Sequence, residues 1–176
     1  MVEYRSLCAG QIDRALFSAF QRRQVVTDCV RREQGRWVVR SAPFVDDWSP
    51  ADYDFLVRCL QNTAATGGLV LGAFVDGRLK GFASVESAPL GSAGQYLDLT
   101  SLHVSSELRR SGIGRRLFLR AADFARQKGA QKLYLSAHSA VESQAFYRAM
   151  GCVDAAEPDP AHTAAEPFDR QLEYAL

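Results

Sequence analysis

The chain has 176 residues, and its 21 basic and 20 acidic side chains leave a net charge of +1, which argues against a dedicated nucleic-acid binder with its strong basic excess. The length suits one ordinary domain with a real core, and 47% hydrophobic with 23% charged residues excludes a disordered chain. No apolar run approaches the ~20 residues a membrane helix needs, and the opening MVEYRSLCAGQID lacks a signal-peptide apolar core, so a cytoplasmic protein without a membrane or nucleic-acid partner is expected.

Residues 1–7 alternate enough for a first strand. Ile12, Leu16 and Phe20, with Phe17 beside them, repeat as one apolar helix face. Residues 22–34 continue helix-like, with Val25, Val26, Cys29 and Val30 apolar, until Gly35; residues 37–39 suit a short strand. Ser49-Pro50-Ala51-Asp52 is a strong helix start: a Ser N-cap, Pro at the first position and an acidic partner three residues on. Phe55, Leu56, Cys59 and Leu60 then face inward, and Gly67-Gly68 breaks the run.

Asp76-Gly77 between the β-rich runs 69–75 and 78–86 signals a hairpin. A loop around Pro89, Gly91, Ser92 and Gly94 leads to a strand at 96–104. Residues 112–128 form a helix burying Ile113, Leu117, Ala121 and Phe124, closed by Gly129. A strand at 132–137 precedes a last helix, with Val141, Ala145, Phe146, Ala149 and Met150 apolar, stopped by Gly151. A strand begins at 152–155. A loop with Pro158, Pro160 and Pro167 then leads to the final strand at 168–176. The order is that of a mixed α/β domain.

One stretch carries chemistry: Leu102-His103-Val104-Ser105-Ser106-Glu107-Leu108-Arg109-Arg110-Ser111-Gly112-Ile113-Gly114-Arg115. A strand ends, a turn follows, and glycines open a helix whose first N–H groups lack partners and carry about half a positive charge. Glycine lets a phosphate approach that backbone, and Arg109, Arg110 and Arg115 add charge. The physical reading is a pyrophosphate cradle. No GxxxxGK[ST] is present, and Leu117 stands where GxGxxG needs its third glycine.

Arg109-x-x-Gly112-x-Gly114 after a strand resembles the [QR]xxGx[GA] motif of the GNAT superfamily of acetyl-CoA-dependent N-acetyltransferases. Ser143-x-x-Phe146-Tyr147-x-x-x-Gly151-Cys152 is similar to the family's AxxFYxxxGF pattern, with Ser143 for Ala and Cys152 for Phe. The resemblance implies one α/β domain: a central mixed, mostly antiparallel twisted sheet with helices on both faces, and strands splayed at an acetyl-CoA cleft. Residues 69–152 are then the acetyl-CoA-binding core, 1–66 the first strand and acceptor-side helices, and 153–176 the C-terminal strands.

The resemblance assigns acetyl-CoA contacts to the main chain of Leu102, His103 and Val104, and pyrophosphate contacts to Arg109, Arg110, Ser111, Gly112, Ile113, Gly114 and Arg115, with Ser143 nearby. It makes Tyr147 the general acid at the thioester sulfur; a phenol with reference pKa near 10 stays protonated at pH 7. A backbone N–H near Val104 polarises the carbonyl. The attacking amine must lose a proton. Asp98 is the first candidate base, with Glu166, Asp169, Glu173 or a water chain as alternatives. The implied reaction acetylates a primary amine of a small molecule or peptide; a non-catalytic acyl-CoA binder of the same fold is the alternative. Six acids between 154 and 176 (Asp154, Glu157, Asp159, Glu166, Asp169 and Glu173), with Asp46-Asp47, favour a cationic acceptor. A homodimer is compatible with the family.

The remaining residues point less sharply. His103 and His138 read as structural, and His162 as part of a loop. Trp37, Phe44 and Trp48 either line the acceptor cleft or anchor the N-terminal segment on the sheet. Cys8, Cys29, Cys59 and Cys152 lie far apart without CxxC, which predicts reduced thiols, and three His without matching ligands predict no metal site.

Overall fold

The computed structural model describes residues 1–176. β1 (Val2–Ser6) is followed by two short 3-10 turns, Ala9–Gln11 and Ala15–Phe17, where the apolar spacing predicted a helix. Ile12, Phe17 and Phe20 are still buried, so the spacing reported burial without a helix. Local side chains take the amides a helix would use: Gln11 Oε1 accepts from Cys8 N–H at 3.0 Å and Asp13 Oδ1 from Leu16 N–H at 2.8 Å.

The larger correction follows. Residues predicted as a continuing helix form β2 (Arg23–Glu33), paired antiparallel with β3 (Arg36–Asp47) in a separate two-stranded sheet. Val25, Val26, Thr27 and Val30 are β-branched and suit a strand. Gln34 and Gly35, with φ of 49° and 79°, supply the two positive-φ residues of a tight hairpin.

α1 (Pro50–Ala65) starts as expected: Asp52 N–H donates to Ser49 Oγ at 3.3 Å, and Ser49 N–H to Asp52 Oδ2 at 2.8 Å. Its inner face is rotated from the expected one. Tyr53, Leu60 and Thr63 are buried, whereas Phe55 is 63% exposed and Cys59 is exposed.

β4 (Leu69–Val75) and β5 (Arg78–Leu90) flank the Asp76-Gly77 turn, and β6 (Tyr96–Val104) follows. α2 (Ile113–Gln127), β7 (Lys132–Ala137) and α3 (Val141–Ala149) complete the central crossover. β8 (Val153–Asp154) is short, and the Pro-rich stretch predicted as loop contains α4 (Pro160–Ala165). Asp159 caps α4 by accepting from His162 N–H at 3.0 Å. β9 (Arg170–Ala175) ends the chain's regular structure.

The main sheet runs β1-β4-β5-β6-β7-β9-β8, antiparallel except between β6 and β7. α2 covers one face through Ile113, Leu117, Phe118 and Ala121, against Leu71, Ala83, Val85, Leu97 and Leu133. The other face carries a second core, where Phe17, Phe20, Tyr53 and Leu60 meet Val70, Phe74 and Phe82. This is the single α/β domain, with a mixed sheet between helical layers, that the resemblance implied. No helix is long and apolar enough to cross a membrane, and all four cysteines are free thiols.

Two features shape the site. β6 and β7 pair only at Tyr96–Lys132, Leu97–Leu133 and Asp98–Tyr134, then part, although β6 continues to Val104 and β7 to Ala137. Gly81 on β5 lets α2 approach the sheet: a Cβ there would lie 2.9 Å from Ile113 Cγ2 and 3.1 Å from Leu117 Cδ1. Gly81→Ala is therefore expected to lower unfolding free energy by about 1–3 kcal/mol through overpacking, read as a lower urea midpoint.

Candidate active site

Between the diverging ends of β6 and β7 lies a cleft of about 970 Å³. α2 starts at one end of it. Gly112 precedes α2 with φ 85°, a conformation costly for any residue with a Cβ. The first helical bond runs from Arg116 N–H to the Gly112 carbonyl at 3.1 Å, so the amides of residues 113–115 have no helical partner. Arg109, Arg110 and Arg115 border the same end. A helix N-terminus with free amides and three guanidiniums nearby has the chemistry to hold a phosphate.

The structure brings most of the expected residues to this cleft. Leu102, His103, Val104, Arg109, Arg110, Gly112, Gly114, Arg115, Ser143 and Tyr147 all border it. Ser111 and Ile113 do not. The Ser111 hydroxyl donates to the Leu108 carbonyl at 2.6 Å, and the Ile113 side chain is buried in the core, which leaves each only its main chain to offer. Burial, with the Asp169 charge adding to it, pushes the Tyr147 phenol well above its ordinary value, so it stays protonated. Cys152, pushed up to about 12 by burial, is an inert thiol.

Asp98 lies elsewhere. It is buried on β6, outside the cleft wall, and its Oδ2 sits 2.7 Å from His162 Nε2. The other ring nitrogen of His162 lies 2.8 Å from Asp159 Oδ2, while Asp98 Oδ1 has no partner. The histidine read as loop filler therefore ties α4 to the sheet. Glu173 is also occupied away from the cleft: it accepts from Tyr96 Oη at 2.5 Å and Lys132 Nζ at 2.6 Å.

The cleft is also lined by Arg22, Gln24 and Glu142, which the sequence did not single out, and by Val25, Asp46, His138 and Trp48, which it named for other reasons or with two roles open. Trp48 fills both roles considered for it, since it borders the cleft and packs on Phe20, Tyr53 and Phe82. The Arg22 guanidinium is buried, forms an ion pair with Asp46 and stands 5.2 Å from the Trp48 ring centroid. Reading β2 as a helix hid this wall; the β-branched run before Gln34-Gly35 was the available signal.

Two histidines border the cleft in different states. His103 packs against Trp48 and Phe82, with ring centroids at 4.8 and 5.2 Å. Burial, reinforced by Arg22, Arg109 and His138, pushes it down to about 3, so it stays neutral. His138 is lowered mainly by burial, and its Nδ1 accepts the Ala140 N–H at 3.1 Å. Asp169 moves the other way. Burial and then the Glu166 charge raise it to about 6.

This arrangement has known counterparts. Residues 33–152 match the acetyltransferase (GNAT) family, and the chain belongs to that family. Solved structures share the fold at low identity. A nourseothricin acetyltransferase is 22% identical, with TM-score 0.66, over 98% of this chain and 95% of its own. A streptothricin acetyltransferase candidate from Bacillus anthracis, bound to acetyl coenzyme A, is 14% identical, with TM-score 0.72, over 100% and 98%. The PaiA N-acetyltransferase of Thermoplasma acidophilum, bound to coenzyme A, is 19% identical, with TM-score 0.62, over 100% and 99%. No curated protein matches the sequence.

The His162 clasp has a pH signature. The Asp98 hydrogen bond, ahead of the opposing burial and with Asp159 adding to it, raises His162 from 6.5 to about 9. A folded-state value above the unfolded one contributes stability that is complete below pH 6.5 and is lost as pH rises through about 9. The stability gap between wild type and His162→Gln should therefore shrink by roughly 2 kcal/mol between pH 6 and pH 10, read by urea unfolding.

Proposed function

We propose that the protein transfers the acetyl group of acetyl-CoA directly to a primary amine of a small cationic molecule. One observation carries this reading: the free amides of α2 and the Tyr147 phenol open onto the same cleft, where β6 has lost its partner strand. The main chain of Leu102, His103 and Val104 is suited to pair with the amides of the pantetheine arm as a missing strand would. The amides around Gly112–Arg115, with Arg109 and Arg110, are suited to the pyrophosphate. Tyr147 then donates its proton to the departing thiolate, and a backbone N–H near Val104 polarises the carbonyl.

On this reading residues 69–152 hold acetyl-CoA, while residues 1–66 and 153–176 shape the acceptor end. The cleft carboxylates Asp46, Glu142, Glu166 and Asp169 are faced by the guanidiniums of Arg22, Arg31 and Arg109, of which Arg22 is paired to Asp46. That excess of carboxylates favours an acceptor with a second positive charge. Nourseothricin and streptothricin, after which two of the compared proteins are named, are natural first acceptors to try.

Isothermal titration should give micromolar acetyl-CoA binding and no response to ATP. Gly112→Glu, which puts a carboxylate and a strained φ into the cradle, should abolish binding. Gly114→Ala should keep it, because its Cβ would meet only ordinary contacts at 3.5 Å from Phe146 and Val104. Absence of acetyl-CoA binding, or full activity in Gly112→Glu, rejects the assignment.

Tyr147→Phe separates an enzyme from an acyl-CoA sensor. It should bind acetyl-CoA normally but lose about 10²–10⁴-fold in kcat, measured by thiol release. Cadaverine should be preferred over 5-aminopentanoate by at least ~10-fold in kcat/KM, because their distal groups differ in charge sign.

A further inference from the structure

The proposed reaction needs a group to take the proton of the arriving ammonium, and the cleft narrows the choice. Asp46 is committed to buried Arg22. His103 is a poor base at about 3. His138 already uses its Nδ1 lone pair on the Ala140 N–H, so a neutral ring has no lone pair left to offer. His162 is held at both ring nitrogens, and Asp98 is enclosed behind it, off the cleft wall. Three carboxylates remain: Glu142, Glu166 and Asp169. Glu142 and Glu166 are exposed to solvent, whereas Asp169 is half-buried.

We infer that Asp169, rather than Asp98, accepts the proton of the incoming amine, from the side of the cleft that also holds Tyr147. The inference rests on the acetyl-transfer reading above. Asp169 sits in the turn between α4 and β9, where its N–H donates to the Glu166 carbonyl at 3.0 Å. Its carboxylate makes no ion pair; the donor beside it is the Ser139 main-chain N–H. The groups acting on it are Glu166 of the same turn, Arg31 of β2, and Tyr147 of α3, with the Ser139 main chain before α3. Burial and Glu166 raise it against Ser139 and Arg31, to about 6. A carboxylate so placed is ionised at neutral pH yet a stronger base than an exposed one.

The protons balance. Asp169 takes one from the ammonium, and the free amine attacks the acetyl carbon. The C–N bond forms and the C–S bond breaks, while Tyr147 protonates the thiolate. The second nitrogen-bound proton returns to Tyr147 through solvent, and Asp169 releases its own. The net products are the amide, CoA thiol and one proton.

The test uses the full chain with cadaverine as acceptor and ¹³Cγ-aspartate labelling. In wild type, kcat/KM should fall as pH drops below about 6, where Asp169 becomes protonated. Asp169→Asn should lose about 100-fold or more in kcat and lose that acid limb, with acetyl-CoA Kd unchanged. Asp98→Asn should keep the limb. One aspartate carboxyl signal should titrate near pH 6 in wild type and be missing in Asp169→Asn.

An acid limb that survives Asp169→Asn, or disappears in Asp98→Asn, overturns the inference. So does the absence of that carboxyl signal, whether or not cadaverine turns over. Failure of acetyl-CoA to bind wild type sinks the underlying reading instead.

Discussion

The cleft exists because two parallel strands stop pairing after Asp98 and Tyr134. Beyond that point β6 presents a strand edge without a strand neighbour, and unpaired backbone groups are costly unless water or a ligand meets them. The edge is kept open from both sides. Gly81 lets Ile113 and Leu117 press α2 onto β5, which fixes where the helix begins. On the other strand, Tyr134 Oη donates to Gln171 Oε1 at 2.5 Å and accepts the Asp159 N–H at 2.8 Å, which holds β7 toward β9 and α4. A gap defended in this way is a built feature of the fold.

Both signs of charge line the gap. Arg109, Arg110 and Arg115 gather around the start of α2, and the lining of the same cleft also carries Glu142, Glu166, Asp169 and the Arg22–Asp46 pair, with Arg109 close enough to feel Asp46 and Glu142. Low-dielectric walls strengthen both fields. On the proposed reading, the arginines serve a cofactor with anionic phosphates, the carboxylates serve an acceptor with an ammonium group, and Tyr147 stands where the two would react. The Asp98–His162–Asp159 clasp supports this from behind. It anchors α4, and α4 leads directly into Glu166 and Asp169.

Much of the cofactor half was legible in the sequence. Asp76-Gly77, the strand at 96–104 and the glycines before α2 act through local backbone chemistry, which a sequence records directly. Ser49 and Asp52 declared their cap for the same reason. The acceptor half was not legible, because it depends on non-local pairing. Ile12, Leu16 and Phe20 have helical spacing, but Ile12 and Phe20 are buried beside 3-10 turns and Leu16 is only partly buried. Val25, Val26, Cys29 and Val30 fit a helical face and a strand equally well, and the register of β2 against β3 decided the matter. His162 gave no sign of its role, since its partner Asp98 is 64 residues away. Asp98 and Asp169 show the same limit: nothing local separates a carboxylate enclosed behind a helix from one at the cleft.

The hairpin of β2 and β3 touches the rest of the chain sparingly in hydrogen-bond terms. Outside its own ladder, Val30 N–H donates to the Ser139 carbonyl at 2.8 Å, and a single bridge joins Cys29 to Ala140. Yet its base supplies Gln24, Val25 and Asp46 to the wall of the cleft. Part of the cleft lining is therefore carried on a two-stranded sheet whose exchange breaks no rung of the central sheet. With the acceptor end as proposed, residues 23–47 are a natural graft site for changing specificity, with the Arg22–Asp46 pair the one buried ion pair such a graft has to keep.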